Sequence, residues 1–333
     1  MIAQVIPQNR RLVDDFLDYL RSLDRSETTI VAYKSDLDIF MVWNATENEN
    51  KKFVKVTKRD FVKFQNHCMN VWQWSPNRIR RVKSTLSSLS QYIEDILDDE
   101  PGFRNYRAVV NKVKNPVKTT VRDKTVFEPE ELQHLLDTLV EREMYLQACV
   151  LALAMYSGRR KAELPRFKTN FFKERNVIFG SLYKTPEKVR TKGRGTHGKM
   201  LDLYVLKKDF DPYLKLWMDE RKKLGIDSVW LFPYRRGNRW SREKPMKVDT
   251  LNSWVPLFSS IVGKDFYWHS LRHFFTTQCF KANLPSEVIQ EIVGWDSVDM
   301  CQLYNDTSTE ETLAKYFDEN GIKKVEQSLL SDL

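Results

Sequence analysis

The segment Ser157-Gly158-Arg159-Arg160-Lys161-Ala162-Glu163-Leu164 closes an apolar run, and His269-Ser270-Leu271-Arg272-His273 stands well downstream of it. A guanidinium is a rigid fork of donors that matches the charge and shape of a phosphate, and an imidazole exchanges a proton near neutral pH. Either segment alone also has a plain reading. Exposed arginines solvate a helix face, and a lone histidine serves structure more often than chemistry. Other chemistries lack their residues: there is no G-x-x-x-x-G-K-[ST], no G-x-G-x-x-G after a strand and no H-E-x-x-H. An NTPase, a dehydrogenase and a zincin therefore lack support in the sequence. Acids are plentiful, but no spacing gathers the carboxylates that two-metal hydrolysis needs. Neither a metal nor a cofactor is expected.

The elements that hold these segments must come from a chain of 333 residues, which at ~150 residues per domain means about two domains. With 41% hydrophobic and 30% charged residues the chain is neither disordered nor fibrous. The longest apolar stretches, such as Leu146 to Met155, fall short of the ~20 residues that cross a bilayer. The start, MIAQVIPQNRR, lacks a secretory layout. No membrane is expected. Lysine plus arginine number 54 against 45 acids, a net +9 that favours a polyanionic partner. Cys68, Cys149, Cys279 and Cys301 are widely separated, so no disulfide framework or cysteine zinc site is indicated, and a reducing cytoplasm fits.

Helical spacing opens the chain. Leu12, Val13, Phe16, Leu17, Leu20 and Leu23 form one apolar stripe from Arg11 to Leu23. Ser26 caps a second helix, whose stripe is Ile30, Tyr33, Leu37, Phe40 and Met41, and which is predicted to end near Asn44 before the polar run NATENENKK. A third helix follows Thr57. Ser75-Pro76 opens a fourth that buries Ile79, Val82, Leu86, Leu89, Ile93, Ile96 and Leu97. From Asp98 to Thr125 periodicity breaks, and Arg104, Arg107, Lys112, Lys114, Lys118, Arg122 and Lys124 make a basic linker. The predicted domains are residues 1–100, a linker at 101–125, and 126–333. In the last, helices run to Tyr156. The β-like stretches Val177-Ile178-Phe179 and Leu201 to Leu206 then flank a hairpin rich in lysine and glycine between Lys184 and Lys199. Helices dominate again from Phe210.

Taken in order, these segments resemble the tyrosine recombinase (phage integrase) family, with its T-G-x-R-x-x-E-L box, hairpin lysine, H-x-x-R box and L-G-H/W segment followed by tyrosine. Ile292-Val293-Gly294-Trp295 looks like the last segment, and Tyr304 lies nine residues after Trp295, where the family has its nucleophile. The resemblance spans about Phe127 to Tyr316. It reaches more faintly into the first part, where Thr29-Ile30-x-x-Tyr33 looks like the start of the family's core-binding domain. It implies a mainly α fold: a helical, SAM-like N-terminal domain before a mostly helical catalytic domain with a small antiparallel sheet.

The resemblance also implies roles. Glu163-Leu164 fixes the register so that the first arginine is Arg160, leaving Arg159 where the family is usually apolar. His269 and Arg272 fall on the second box. Trp295 stands where many members have histidine, a substitution also found in Cre-like enzymes, and would lend its indole N–H to a phosphate oxygen. Glu163 would orient the cations. Lys192, in Thr191-Lys192-Gly193, is the hairpin lysine chosen, with Lys199 on the far side of the turn as the alternative. Tyr316 competes with Tyr304. On the fourth helix Arg78, Arg80, Arg81 and Lys83 would face the major groove, and Lys112, Lys114, Lys118 and Lys199 would contact phosphates. The helical pattern starts at Arg11, so no arm-binding module is expected ahead of it.

The function implied is that of a Cre-like or Xer-like site-specific recombinase. It would act in the bacterial cytoplasm on nucleoid or phage DNA carrying inverted-repeat sites, as a homotetramer. Two alternatives stand beside it: a type IB topoisomerase or telomere resolvase, and a non-catalytic DNA-binding protein of the same fold.

Overall fold

The computed structural model of the chain describes residues 2–117, 125–191, 198–298 and 300, with the backbone of 317–318 and 321–322. These residues fall into two compact units, one built from residues 2–117 and the other from residues 125–191 and 199–300.

In the first unit each helix start carries a local signal. Helix α1 (Pro7–Ser22) has proline in its first turn. Helix α2 (Glu27–Glu47) is capped by Ser26, whose hydroxyl accepts from the Thr29 N–H. Helix α3 (Lys58–Asn70) opens on a capping box. The Asp60 N–H donates to Thr57 Oγ1 at 3.3 Å, and the Thr57 N–H donates to Asp60 Oδ2 at 2.9 Å. Helix α4 (Pro76–Ile96) has Ser75 as its cap. Phe16, Leu37, Phe40, Phe61, Phe64, Ile79, Leu86 and Ile93 meet in one core. There Phe40 stacks on Phe61 at 5.4 Å and meets Phe64 edge-on at 5.0 Å.

Two sequence expectations change here. Helix α2 runs past Asn44 to Glu47, because Asn44 faces inward. Its amide donates to the Lys51 carbonyl at 2.7 Å and its oxygen accepts from Asn48 at 3.0 Å. The chain reverses only at Glu49 and Asn50, where φ is 60° and 49°. The basic stretch after Asp98 is not all linker either: Val110 and Val113 lie in the core of this unit.

The second unit is built around α6 (Tyr145–Met155), whose residues Ala148 to Met155 are all buried. Helix α5 (Pro129–Glu141) packs against it. Strands β1 (Val177–Ile178), β2 (Leu182–Lys184) and β5 (Tyr204–Leu206) form an antiparallel sheet in the order β1-β2-β5. Strands β3 (Val189–Thr191) and β4 (Lys199–Leu201) pair as a separate hairpin, with Val189 opposite Leu201 and Thr191 opposite Lys199. Helix α7 (Lys207–Lys223) follows. A second hairpin, β6 (Pro233–Arg236) with β7 (Arg239–Pro245), interrupts the region read as helical and turns at Gly237, φ 58°. Helices α8 (Val248–Ser253), α9 (Val255–Val262), α10 (Trp268–Lys281) and α11 (Ser286–Val293) follow. A short backbone pair, β8 (Phe317–Asp318) with β9 (Gly321–Ile322), comes last. The fold is mainly helical with small antiparallel sheets. Among the described residues no helix is long and apolar enough to cross a membrane.

Candidate active site

Helix α6 stops at Tyr156, and the Ser157 hydroxyl folds back to donate to the Leu153 carbonyl. Gly158 then takes φ +60°, and a Cβ there would lie 2.5 Å from a ring carbon of Phe275 on α10. Glycine is required twice over, by the left-handed backbone and by the close approach of α10. The turn sends its two arginines to different places. Arg159 is 1% exposed, with Nε donating to the Ser157 carbonyl and Nη2 to the Ile292 carbonyl. Burial pushes its pKa down to about 10, against the pull of the Glu163 charge. Arg160 stays partly exposed and is braced by buried Glu163. That carboxylate accepts from the Arg160 N–H at 3.1 Å and from Arg160 Nη1 at 3.2 Å.

Helix α10 brings the second box alongside. Arg272 is fully buried; Nη1 donates to the Gly158 carbonyl at 2.9 Å and Nη2 to the Val293 carbonyl at 3.2 Å. Its guanidinium lies 4.9 Å from the centre of the Trp295 ring. Trp295 is buried with Phe275, Cys279, Ile289 and Val293 between α10 and α11. His269 is exposed one helical turn from half-buried His273, with ring centres 5.5 Å apart. The SGRR turn, Arg272 and the end of α11 therefore meet, although more than a hundred residues separate the first from the others.

The β3–β4 hairpin reaches the same place. Leu201 on β4 sits where a Cβ on Gly294 would lie, 2.5 Å away, and Gly294 has φ +74°. Lys199 Nζ pairs with Asp296 at 2.6 Å. Lys192, Tyr304, Tyr316 and Lys118 lie outside the described residues.

The basic residues of the first unit divide sharply. Lys83 is 5% exposed, and its ammonium donates to the carbonyls of Val113 at 2.8 Å and Lys114 at 3.2 Å. Burial pushes its pKa down. The spacing carries a signal for this: Ile79, Lys83, Leu86, Ser90 and Ile93 follow the apolar stripe. Arg80 donates to the Pro116 carbonyl, and Arg81 clasps Asp36 through Nε at 3.2 Å and Nη2 at 2.6 Å. Arg78 differs. It is exposed, and its guanidinium lies 3.9 Å from the Trp74 ring centre, which is itself 4.9 Å from Trp72. Lys112 and Lys114 are exposed.

Residues 125–311 match the family model described as "Phage integrase family", and residues 12–102 match "Phage integrase, N-terminal SAM-like domain". The chain is 31% identical to the SPbeta prophage-derived recombinase-like protein YomM of Bacillus subtilis (strain 168), over 84% of this chain and 79% of that protein. Its fold is similar to that of the XerH site-specific recombinase bound to palindromic difH substrate in a post-cleavage complex. The TM-score is 0.64, with 17% identity, 86% of this chain and 79% of that chain covered. It is likewise similar to a lambda integrase tetramer bound to a Holliday junction, with a TM-score of 0.64 and 14% identity over 89% and 77% of the two chains. At these identities the likeness to the solved structures is one of fold.

Proposed function

The chain belongs to the phage integrase family, and we propose that it is a site-specific DNA recombinase whose strand-breaking centre is the junction of the SGRR turn, α10 and the end of α11. The observation that carries this reading is Arg272, which donates to the carbonyls of Gly158 and Val293 and so ties the three segments at one point beside Arg160.

The chemistry follows from the side chains. In-line attack on a phosphodiester builds negative charge on the non-bridging oxygens. Arg160, braced by Glu163, supplies a fork matched to that charge, and Arg272, buried with its Nη donors on the Gly158 and Val293 carbonyls, adds positive charge and holds the turn in place. The hydroxyl of Tyr304 forms the new bond to phosphorus and loses its proton, with His269 as the base. The bond from phosphorus to the 5′ oxygen breaks, and that oxygen takes a proton from Lys192. The 3′-phosphotyrosine product retains the energy of the phosphodiester. A free 5′-hydroxyl therefore reverses the attack and reseals the strand without ATP, and exchange between two duplexes passes through a Holliday junction. Trp295 supports the Arg272 guanidinium through its ring face.

For DNA contact the reading favours Arg78, Lys112 and Lys114, with Arg80, Arg81 and Lys199 as lesser contributors whose donors are already partnered. Lys83 leaves this set, because its ammonium is spent inside the first unit. The target is double-stranded bacterial or phage DNA with inverted-repeat sites, bound by four copies of the chain. The segment after Tyr304 carries Leu313, Tyr316, Phe317, Ile322, Val325, Leu329 and Leu330, more apolar surface than a solvated end needs. An apolar cavity of about 870 Å³, with Met155, Tyr156, Leu206, Phe275 and Leu284 in its walls, is of a size to receive such a segment from a neighbouring copy. A lambda integrase of similar fold is a tetramer on a Holliday junction, in line with four copies on DNA.

The test is covalent capture. The cognate DNA site is selected, a suicide substrate is built on it, and the mixture is run on a denaturing gel. A protein–DNA adduct is expected; a site that is bound and never joined would leave a DNA-binding protein without strand chemistry.

A further inference from the structure

Of the two arginines in the SGRR turn, the one without a part in the chemistry above is the more deeply buried. A guanidinium removed from water must have its donors partnered. Those of Arg159 go to backbone carbonyls, Ser157 on its own turn and Ile292 at the end of α11. The second partner is a particular one. The last carbonyls of a helix have no intrahelical donor, and they form the negative end of its dipole. In α11 the Gln290 carbonyl accepts from the N–H groups of Gly294 and Trp295. The last two of the helix, Ile292 and Val293, are taken by Arg159 and Arg272. The two buried guanidiniums thus hold consecutive carbonyls. Arg159 Nη1 also lies 3.7 Å from where a Cβ on Gly294 would be, so the backbone leaving the helix passes against it. A leucine at this position would fill the volume and leave the Ile292 carbonyl unmet.

We propose that Arg159 is a positioning residue: it fixes the end of α11, and with it Trp295, in register with Arg160 on the adjoining peptide. This rests on the recombinase reading above. A misplacement of about 1 Å at a reacting group costs on the order of a hundredfold in rate, so such an anchor acts on cleavage rather than on DNA affinity.

The experiment compares full-length wild type, Arg159→Leu, Arg159→Lys and Arg160→Ala. Binding to the selected site, thermal midpoint and single-turnover adduct formation at saturating protein are measured, on normal DNA and on a methylphosphonate that removes one non-bridging charge. Arg159→Leu is expected to bind within about twofold of wild type and to form adduct at least about tenfold more slowly. Arg159→Lys should recover part of that loss, since an ammonium can still donate to the Ile292 carbonyl. The methylphosphonate should restore Arg160→Ala, whose task is charge, and not Arg159→Leu. Wild-type cleavage by Arg159→Leu overturns the proposal, as does its rescue by the methylphosphonate. So does a collapse of midpoint and binding in Arg159→Lys, which would make the residue only part of the core. Failure of wild type itself to form adduct would count against the recombinase reading instead.

Discussion

Glu163 decides which of two adjacent arginines faces outward. Its buried carboxylate accepts from both the main chain and the side chain of Arg160, so that fork is held at the surface while Arg159 turns in. The proton for the leaving oxygen is a separate task, assigned to Lys192, and it has its own test. Replacing the bridging 5′ oxygen with sulfur, a far better leaving group, should largely restore cleavage to Lys192→Ala and restore Arg160→Ala much less. Rescue of Lys199→Ala in its place would move the acid across the hairpin. Lys199 starts from an ion pair with Asp296, a partner it would first have to give up. The site was legible in part. Arg160, Glu163 and Arg272 are singled out only through the family resemblance, in which E-L fixes the register of the first box, and what the structure adds is that Arg272 meets the turn that carries the other two. The burial of Arg159 was not legible, because an arginine reads as exposed until the carbonyls that receive it are brought in from a segment more than a hundred residues away.

At the scale of elements, local signals carried the helices of the first unit. Ser26, Thr57 and Ser75 all cap where their sequence context says they should. The cap on α3 gives a prediction with a definite sign. Burial works to raise the Asp60 pKa, but hydrogen bonds from the Thr57 N–H, Lys51 and the Thr57 hydroxyl outweigh it and hold the carboxyl below the usual range. Its folded pKa is thus depressed, so its stabilisation is present above the unfolded pKa and lost as pH falls through the folded one. Asp60→Ala should cost about 1–2 kcal/mol near neutral pH. The gap between the thermal midpoints of the two proteins should hold down to about pH 4 and narrow below it as the carboxyl takes up its proton; a gap that stays constant below about pH 4 would assign the loss to packing. Other elements were hidden. The end of α2 was misjudged because three asparagines resemble a loop until Asn44 is seen bonded to Lys51 and Asn48. The β6–β7 hairpin is hidden in the sequence although Gly237-Asn238 marks its turn, because its strands are largely polar and carry no apolar alternation.

The whole molecule divides into two units, and the sequence shows why: each has its own closed set of apolar stripes. The boundary was harder to read, since charge suggested a linker from Asp98 while Val110 and Val113 belong to the first core. At this scale the prediction concerns assembly. Deleting residues 323–333 should leave folding and single-site binding nearly unchanged and weaken synapsis and recombination, as followed by band shifts on one-site and two-site DNA. A truncated protein that melts at a much lower temperature would place the segment on its own unit, and one that recombines normally would remove it from assembly. In the proposed reading the chain breaks DNA through one tyrosine, Tyr304. The most direct measurement is a denaturing gel of the suicide substrate with wild type, Tyr304→Phe and Tyr316→Phe: the adduct should vanish only in Tyr304→Phe, with site binding retained, whereas an adduct that survives Tyr304→Phe would contradict the account.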